Sequence, residues 1–143
     1  GNFLAQVGYS YEQNAGLAIG TASTTADRHG YSVAAAWKSA DAGILPSIST
    51  GYSWADVDGT SDDIDSWYVG LEWSDVLIEG NSFGAAIGEA PSFEDEDSST
   101  MWEVFYSFAV SDNVTVTPAV FGIDDGGDDE EIFGGIVKTT FKF

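Results

Sequence analysis

From Ile132 to Phe143 the chain alternates between two sets of residues. Phe133, Gly135, Val137, Thr139, Phe141 and Phe143 take the odd positions, and Ile132, Gly134, Ile136, Lys138, Thr140 and Lys142 the even ones. Successive side chains of a β-strand point to opposite faces, so this period of two places the aromatic residues on one face and both lysines on the other. Three earlier stretches repeat the pattern. Trp67, Val69, Leu71 and Trp73 alternate with Ser66, Tyr68, Gly70, Glu72 and Ser74. Trp102, Val104, Tyr106, Phe108 and Val110 alternate with Met101, Glu103, Phe105, Ser107 and Ala109. Val114, Val116, Pro118 and Val120 alternate with Thr115, Thr117, Ala119 and Phe121. No stretch carries the 3.6-residue period of an amphipathic helix, so the class expected is all-β.

Nine strands are predicted: Phe3–Glu12, Gly16–Ala22, Tyr31–Lys38, Gly43–Ala55, Ser66–Ser74, Ser82–Glu89, Met101–Val110, Val114–Gly122 and Ile132–Phe143. Several approach the 9–11 residues that a tilted strand needs to cross a bilayer. Residues 1–143 read as one unit, with no linker-like segment. One face is apolar throughout, while the other carries Ser, Thr, Gly, Ala and scattered charge. A sandwich would bury the apolar face in a core, and a membrane barrel would turn it to lipid. Aromatic spacing favours lipid. Trp67 and Trp73 lie about 20 Å apart along an extended strand, which a tilt of about 40° reduces to roughly 15 Å along the membrane normal. The small-residue face suits a water-filled interior better than a dry core.

The 24 acidic residues outnumber the 4 basic ones, which excludes nucleic acid as a partner because phosphate contacts need clustered Lys and Arg. The chain also holds 20 Phe, Tyr and Trp residues (9, 6 and 5), too many for an acidic disordered segment. Acidity and aromaticity must therefore occupy different places. Connections predicted at Ser23–His29, Asp56–Asp65, Ala90–Ser99 and Ile123–Glu131 are longer than those at Glu12–Ala15, Ser39–Ala42, Asp75–Gly80 and Ser111–Asn113. Membrane barrels have long extracellular loops and short periplasmic turns. The long set carries most of the acid. Asp56, Asp58, Asp62, Asp63, Glu94, Asp95, Glu96, Asp97, Asp124, Asp125, Asp128, Asp129, Glu130 and Glu131 form an expected extracellular rim. An odd count of nine fits no closed barrel of a single bacterial chain, so further strands are expected before Gly1. A miscount by one would instead give a complete eight-stranded barrel.

The closing run Gly134-Gly135-Ile136-Val137-Lys138-Thr139-Thr140-Phe141-Lys142-Phe143 resembles the last strand of outer-membrane proteins. That resemblance assigns Phe141 and Phe143 to the signal read by the barrel assembly machinery. A wider resemblance rests on Val33-Ala34-Ala35-Ala36-Trp37 with Leu45-Pro46-Ser47-Ile48-Ser49-Thr50-Gly51-Tyr52, on Asp65-Ser66-Trp67-Tyr68-Val69-Gly70-Leu71-Glu72-Trp73, and on Ser111-Asp112-Asn113-Val114-Thr115-Val116-Thr117-Pro118-Ala119. In these runs the chain resembles cyanobacterial porins, which belong with the carbohydrate-selective, OprB-like barrels. The resemblance implies the C-terminal part of a sixteen-stranded antiparallel transmembrane β-barrel of the outer membrane. It further implies a homotrimer and a preceding domain that binds peptidoglycan, with sugars, inorganic ions or iron among the solutes.

The function expected is passive diffusion of small hydrophilic solutes through a water-filled pore, without a cofactor or metal. Gln6, Lys38, Glu72, Glu103, Lys138 and Lys142 are the candidate pore-lining residues, since charges on a pore wall set its selectivity. Trp67, Trp73, Trp102 and Tyr106 are the candidate aromatic girdle against outer-membrane lipid. Enzymatic activity is not expected. His29 is the lone histidine, and a triad would need it to reach a nucleophile such as Ser32. Two rivals stand beside the porin: an eight-stranded barrel acting as adhesin or anchor, and a soluble β-domain.

Overall fold

The computed structural model describes residues 2–19, 22–40, 44–59, 63–93, 98–124 and 131–143. Within them the chain forms one antiparallel sheet of eight strands, ordered in space as in sequence. The strands are β1 (Asn2–Ile19), β2 (Ala22–Lys38), β3 (Ser47–Val57), β4 (Ile64–Ser74), β5 (Ser82–Phe93), β6 (Thr100–Ser111), β7 (Val114–Asp124) and β8 (Glu131–Phe141). There is no helix among the described residues. Each strand hydrogen-bonds to its neighbour in sequence, the simplest route for a chain whose apolar alternation recurs at short intervals.

The strand count corrects the sequence expectation of nine. Phe3–Glu12 and Gly16–Ala22 belong to a single strand apart from the last residues of the second segment, and the whole presumed loop Ser23–His29 lies in the first part of β2. The signal misread as a turn is a β-bulge. Glu12 pairs with Arg28 and Ala15 with Ala26, so Gln13 and Asn14 together oppose Asp27. Asn14 adopts φ 52°, a left-handed conformation that Asn tolerates better than most side chains. Polar residues that accommodate a bulge are the same ones that mark turns, so the pattern looked like a chain reversal. With eight strands, the odd count that called for strands before Gly1 no longer supplies that argument.

The expected alternation of loop length is also absent. Residues 39–46, 75–81 and 112–113 connect strands at one end of the sheet, and residues 20–21, 58–63, 94–99 and 125–130 at the other. The strands themselves run further toward the second end and absorb residues assigned to loops. β1 and β2 extend furthest: β2 pairs with β3 only from Arg28 onward, and Ala22 to Ala26 of β2 pair with β1.

The sheet has a single layer. Val57 and Ile64 are the only buried apolar side chains among the described residues, and nothing packs across either face. A globular protein of 15.1 kDa exposes about 7,100 Å². This chain exposes 9646 Å². β1 and β8 make no contact with each other, which leaves the outer edge of each without a described partner. The sandwich core that a soluble β-domain would need is not formed by these residues.

Candidate functional site: the polar face of the sheet

Cross-strand partners share a face, so the register assigns every strand residue to one side. One continuous row runs Gln6–Ala34–Gly51–Tyr68–Gly88–Met101–Ile123–Ile132. Its face also carries Lys38 on β2, Ser47 and Ser49 on β3, Glu72 on β4, Glu103 on β6 and Lys138 on β8. Five of the six predicted pore-lining residues are thus brought to one side of the sheet. The sixth, Lys142, lies beyond the end of β8. Its backbone N–H and C=O are held by the Asn113 carbonyl at 2.9 Å and the Asn113 side-chain amide at 2.8 Å. It lies at the end of the sheet beside residues 112–113, and the strand register assigns it to neither face.

Charges of both signs are spread over this face. Glu72 pairs with Ser47, on whose other side β2 brings Lys38 into the same hollow of about 420 Å³. Two strand spacings put Lys38 and Glu72 roughly 10 Å apart. A second hollow, of about 390 Å³, is lined by Glu72, Glu103, Phe105, Ser107, Thr117 and Lys138 among others. Ser107 and Thr117 hydroxyls hydrogen-bond at 2.9 Å within it, and Ser53 and Ser66 at 2.7 Å elsewhere on the face. Among the described residues the only salt bridge joins Arg28 to Glu12, at the acidic end of the same face. Lys38, Glu72, Glu103 and Lys138 therefore present charge to whatever fills the space above the sheet.

The opposite face is apolar and uncovered. Val7, Val33, Val69, Ile87, Val120 and Val137 are all more than a third exposed there. Its aromatic residues form two bands. Tyr9, Tyr31 and Trp54 are paired in one row, six residues above the row of Phe3, Trp37 and Ile48. Going toward β8, the upper band steps down through Trp67, Trp102 and Phe133, and the lower through Trp73, Phe83, Tyr106, Phe108 and Phe141. The register gives descents of four and six residues across the seven strand spacings. At about 3.3 Å per residue and 4.8 Å per strand, the bands cross the strands roughly 25° from the perpendicular.

The four predicted girdle residues all lie on this face, and two have partners that sequence did not reveal. Trp67 Nε1–H donates to Glu89 Oε2 at 2.7 Å, which places a carboxylate at the upper edge of the apolar surface. The Tyr106 hydroxyl donates to the Val76 carbonyl at 2.6 Å and accepts from Asn81 Nδ2 at 3.1 Å. Asn81 is buried and its Oδ1 accepts the Ala109 N–H at 3.0 Å. Tyr106 and Asn81 together pin the connection 75–81 onto β6. An isolated Asn ahead of a strand gives no sequence signal for this role.

Of the predicted acidic rim, Asp56, Asp58, Asp63, Asp124 and Glu131 gather at the end of the sheet where β3 joins β4 and β7 joins β8. Asp62, Glu94, Asp95, Glu96, Asp97, Asp125, Asp128, Asp129 and Glu130 lie outside the described residues. At the same end Asp27 accepts hydrogen bonds from the Asn14 N–H at 2.9 Å and the Tyr11 hydroxyl at 2.7 Å. These two donors, the backbone one foremost, hold its carboxyl below the ordinary value of 3.8. The Asp27 carbonyl in turn receives the Asp58 N–H at 2.9 Å. His29 sits with its ring against Tyr11 and its Nδ1 3.0 Å from the Tyr9 hydroxyl. Ser32 is on the other face of β2, so it cannot meet His29 as a nucleophile–base pair.

The chain is 29% identical over 125 residues to an uncharacterized protein of Nostoc sp. (strain PCC 7120 / SAG 25.82 / UTEX 2576), a cyanobacterial sequence. The match covers 79% of this chain and 21% of that protein, so the chain spans about one fifth of the length of the relative. No family model matches the chain. No solved structure matches it.

Proposed function

We propose that these eight strands form part of an outer-membrane β-barrel whose polar face lines a water-filled pore for passive diffusion of small hydrophilic solutes. The observation that carries this reading is the two-sidedness of a one-layer sheet. The same strands expose Val, Ile and Trp on one face and Ser, Gly, Lys and Glu on the other, with no core between layers. Water on both sides would leave the apolar face unexplained, and hydrocarbon on both would strand the charges. Hydrocarbon outside and water inside satisfies both faces. The oblique aromatic bands support the same arrangement, because strands of membrane barrels are tilted and an interfacial band must cross them at an angle.

In this reading Lys38, Glu72, Glu103 and Lys138 shape the electrostatic selectivity of the wall. Trp67, Trp73, Trp102 and Tyr106 meet outer-membrane lipid, and Phe141 with Phe143 presents the signal to the assembly machinery. The acidic end faces outward and raises the local concentration of cations. The uncovered edges of β1 and β8 require partners, since an unpaired backbone group in hydrocarbon costs several kcal/mol. Further strands of a longer, porin-like chain supply them. Its trimeric state and its attachment to peptidoglycan follow from the resemblance to cyanobacterial porins.

The count of eight strands favours one second reading, a small closed barrel serving as adhesin or anchor. The two readings are separated by single cysteines walked along the outer edges of β1 and β8, in a chain that has no cysteine of its own. Disulfide formation between them would select the closed eight-stranded barrel. The pore reading itself is tested by reconstituting the intact protein in planar bilayers. Discrete conductance steps are expected, and their absence from well-folded protein would reject it.

A further inference from the structure

Three aromatic rings occupy the polar face among the described side chains, and each lies over a glycine of the next strand. Tyr68 is paired with Gly51, Phe105 with Gly84 and Phe121 with Gly134. A β-carbon added to any of these glycines would stand within 3.2 Å of three atoms of the facing ring. The rings therefore fill the volume that a side chain at the paired position would take. They lie along the sheet, whereas strand side chains ordinarily stand perpendicular to it. Glycine weakens a strand interior, and close approach by a neighbouring group is a common reason for finding it there.

We propose that Gly51, Gly84 and Gly134 are the size-determining residues of the pore. By seating each ring flat against the wall, they keep bulky aromatic side chains out of the lumen. This rests on the reading that the polar face is the pore wall. A methyl group at Gly84 forces the Phe105 ring to rotate away, because the crowded atoms are the far edge of a mobile side chain rather than backbone. The sheet blocks rotation inward, so the ring swings into the space above it. Phe105 has the most sensitive location of the three. It lies between Glu103, two residues along β6, and Glu72, which is paired to the other side of Gly84. Lifting this ring narrows the passage beside the two carboxylates and screens them from passing ions.

The test compares Gly84→Ala with Gly135→Ala in the intact protein, by single-channel conductance. Gly135 lies on the apolar face, where an added β-carbon meets nothing nearer than 3.6 Å. A measurable fall in single-channel conductance is expected for Gly84→Ala, because the displaced ring narrows the lumen beside charged wall residues, with wild-type conductance for Gly135→Ala. The double variant Gly84→Ala/Phe105→Ala restores conductance, because the obstruction is the displaced ring and not the methyl group. Ser49→Cys, carried in every variant, reports labelling by a charged, membrane-impermeant thiol reagent. No labelling of folded Ser49→Cys would overturn the pore reading and this inference with it. Labelling combined with unchanged Gly84→Ala conductance, or with no restoration in the double variant, would overturn the inference alone. Should Gly84→Ala fail to fold, Gly134→Ala with Phe121→Ala supplies the same comparison and is decided by the same outcomes.

Discussion

Val69→Arg and Ser49→Arg place the same side chain on opposite faces of adjacent strands. Val69 lies on the apolar face of β4, between Trp67 and Trp73 and paired with Ile87. Ser49 lies on the polar face of β3, paired with Gly70. Arginine on the lipid face of a barrel costs about 2–4 kcal/mol at the bilayer midplane and about 0–1 near the interfaces. Val69 stands two residues inside the upper tryptophan, about one third of the way along an apolar stretch of roughly 20 Å. Its depth is intermediate, so the penalty works out at about 2 kcal/mol, or a roughly 30-fold loss in the folding equilibrium. At Ser49 the guanidinium remains in water and the cost stays within about 0.5 kcal/mol. The assay is urea unfolding in phospholipid vesicles, followed by tryptophan fluorescence, with both variants measured against wild type. Equal penalties on the two faces would refute the assignment of hydrocarbon to one and water to the other.

Asn81→Ala removes a buried amide that holds both Tyr106 and the Ala109 N–H; a loss of about 1–3 kcal/mol is expected by the same unfolding assay. Tyr106→Phe deletes the hydroxyl that bridges the Val76 carbonyl and the buried Asn81 amide, and a loss in the same range of about 1–3 kcal/mol is expected. Asp27 binds its proton less readily in the folded chain than its ordinary value of 3.8 implies, so its contribution is fully present above that value. It is lost as pH falls below 3.8 through the depressed folded value, so the protection of the Asn14 N–H against hydrogen exchange, taken relative to the intrinsic rate at each pH, should fall there in wild type and be low at every pH in Asp27→Ala. Replacing Asp124, Asp125, Asp128 and Asp129 by Asn should lower cation preference in bilayer recordings, and more so at 0.01 M than at 1 M salt, where the Debye lengths are about 30 Å and 3 Å.

The faces were legible in the sequence because the pleat enforces a period of two whatever the surroundings. That rule brought Gln6, Lys38, Glu72, Glu103 and Lys138 to one side and Trp67, Trp73, Trp102 and Tyr106 to the other, strand by strand. It also gave the antiparallel all-β class. The count of strands was not legible. Asn14 reads locally as a turn, and only the pairing of Ala15 with Ala26 and the grip of Asp27 on the Asn14 N–H make it a bulge within one long strand.

Register lies beyond any one-strand pattern, because it depends on two segments at once. The seating of Tyr68 on Gly51, Phe105 on Gly84 and Phe121 on Gly134 comes from register, as does the slant of the aromatic bands. The Trp67–Glu89 hydrogen bond joins residues on neighbouring strands, 22 positions apart, and no local rule couples them. Alternation along the backbone fixed which way each side chain points. Hydrogen bonding between strands decided which side chains meet, and so where charge, ring and open space lie across the sheet.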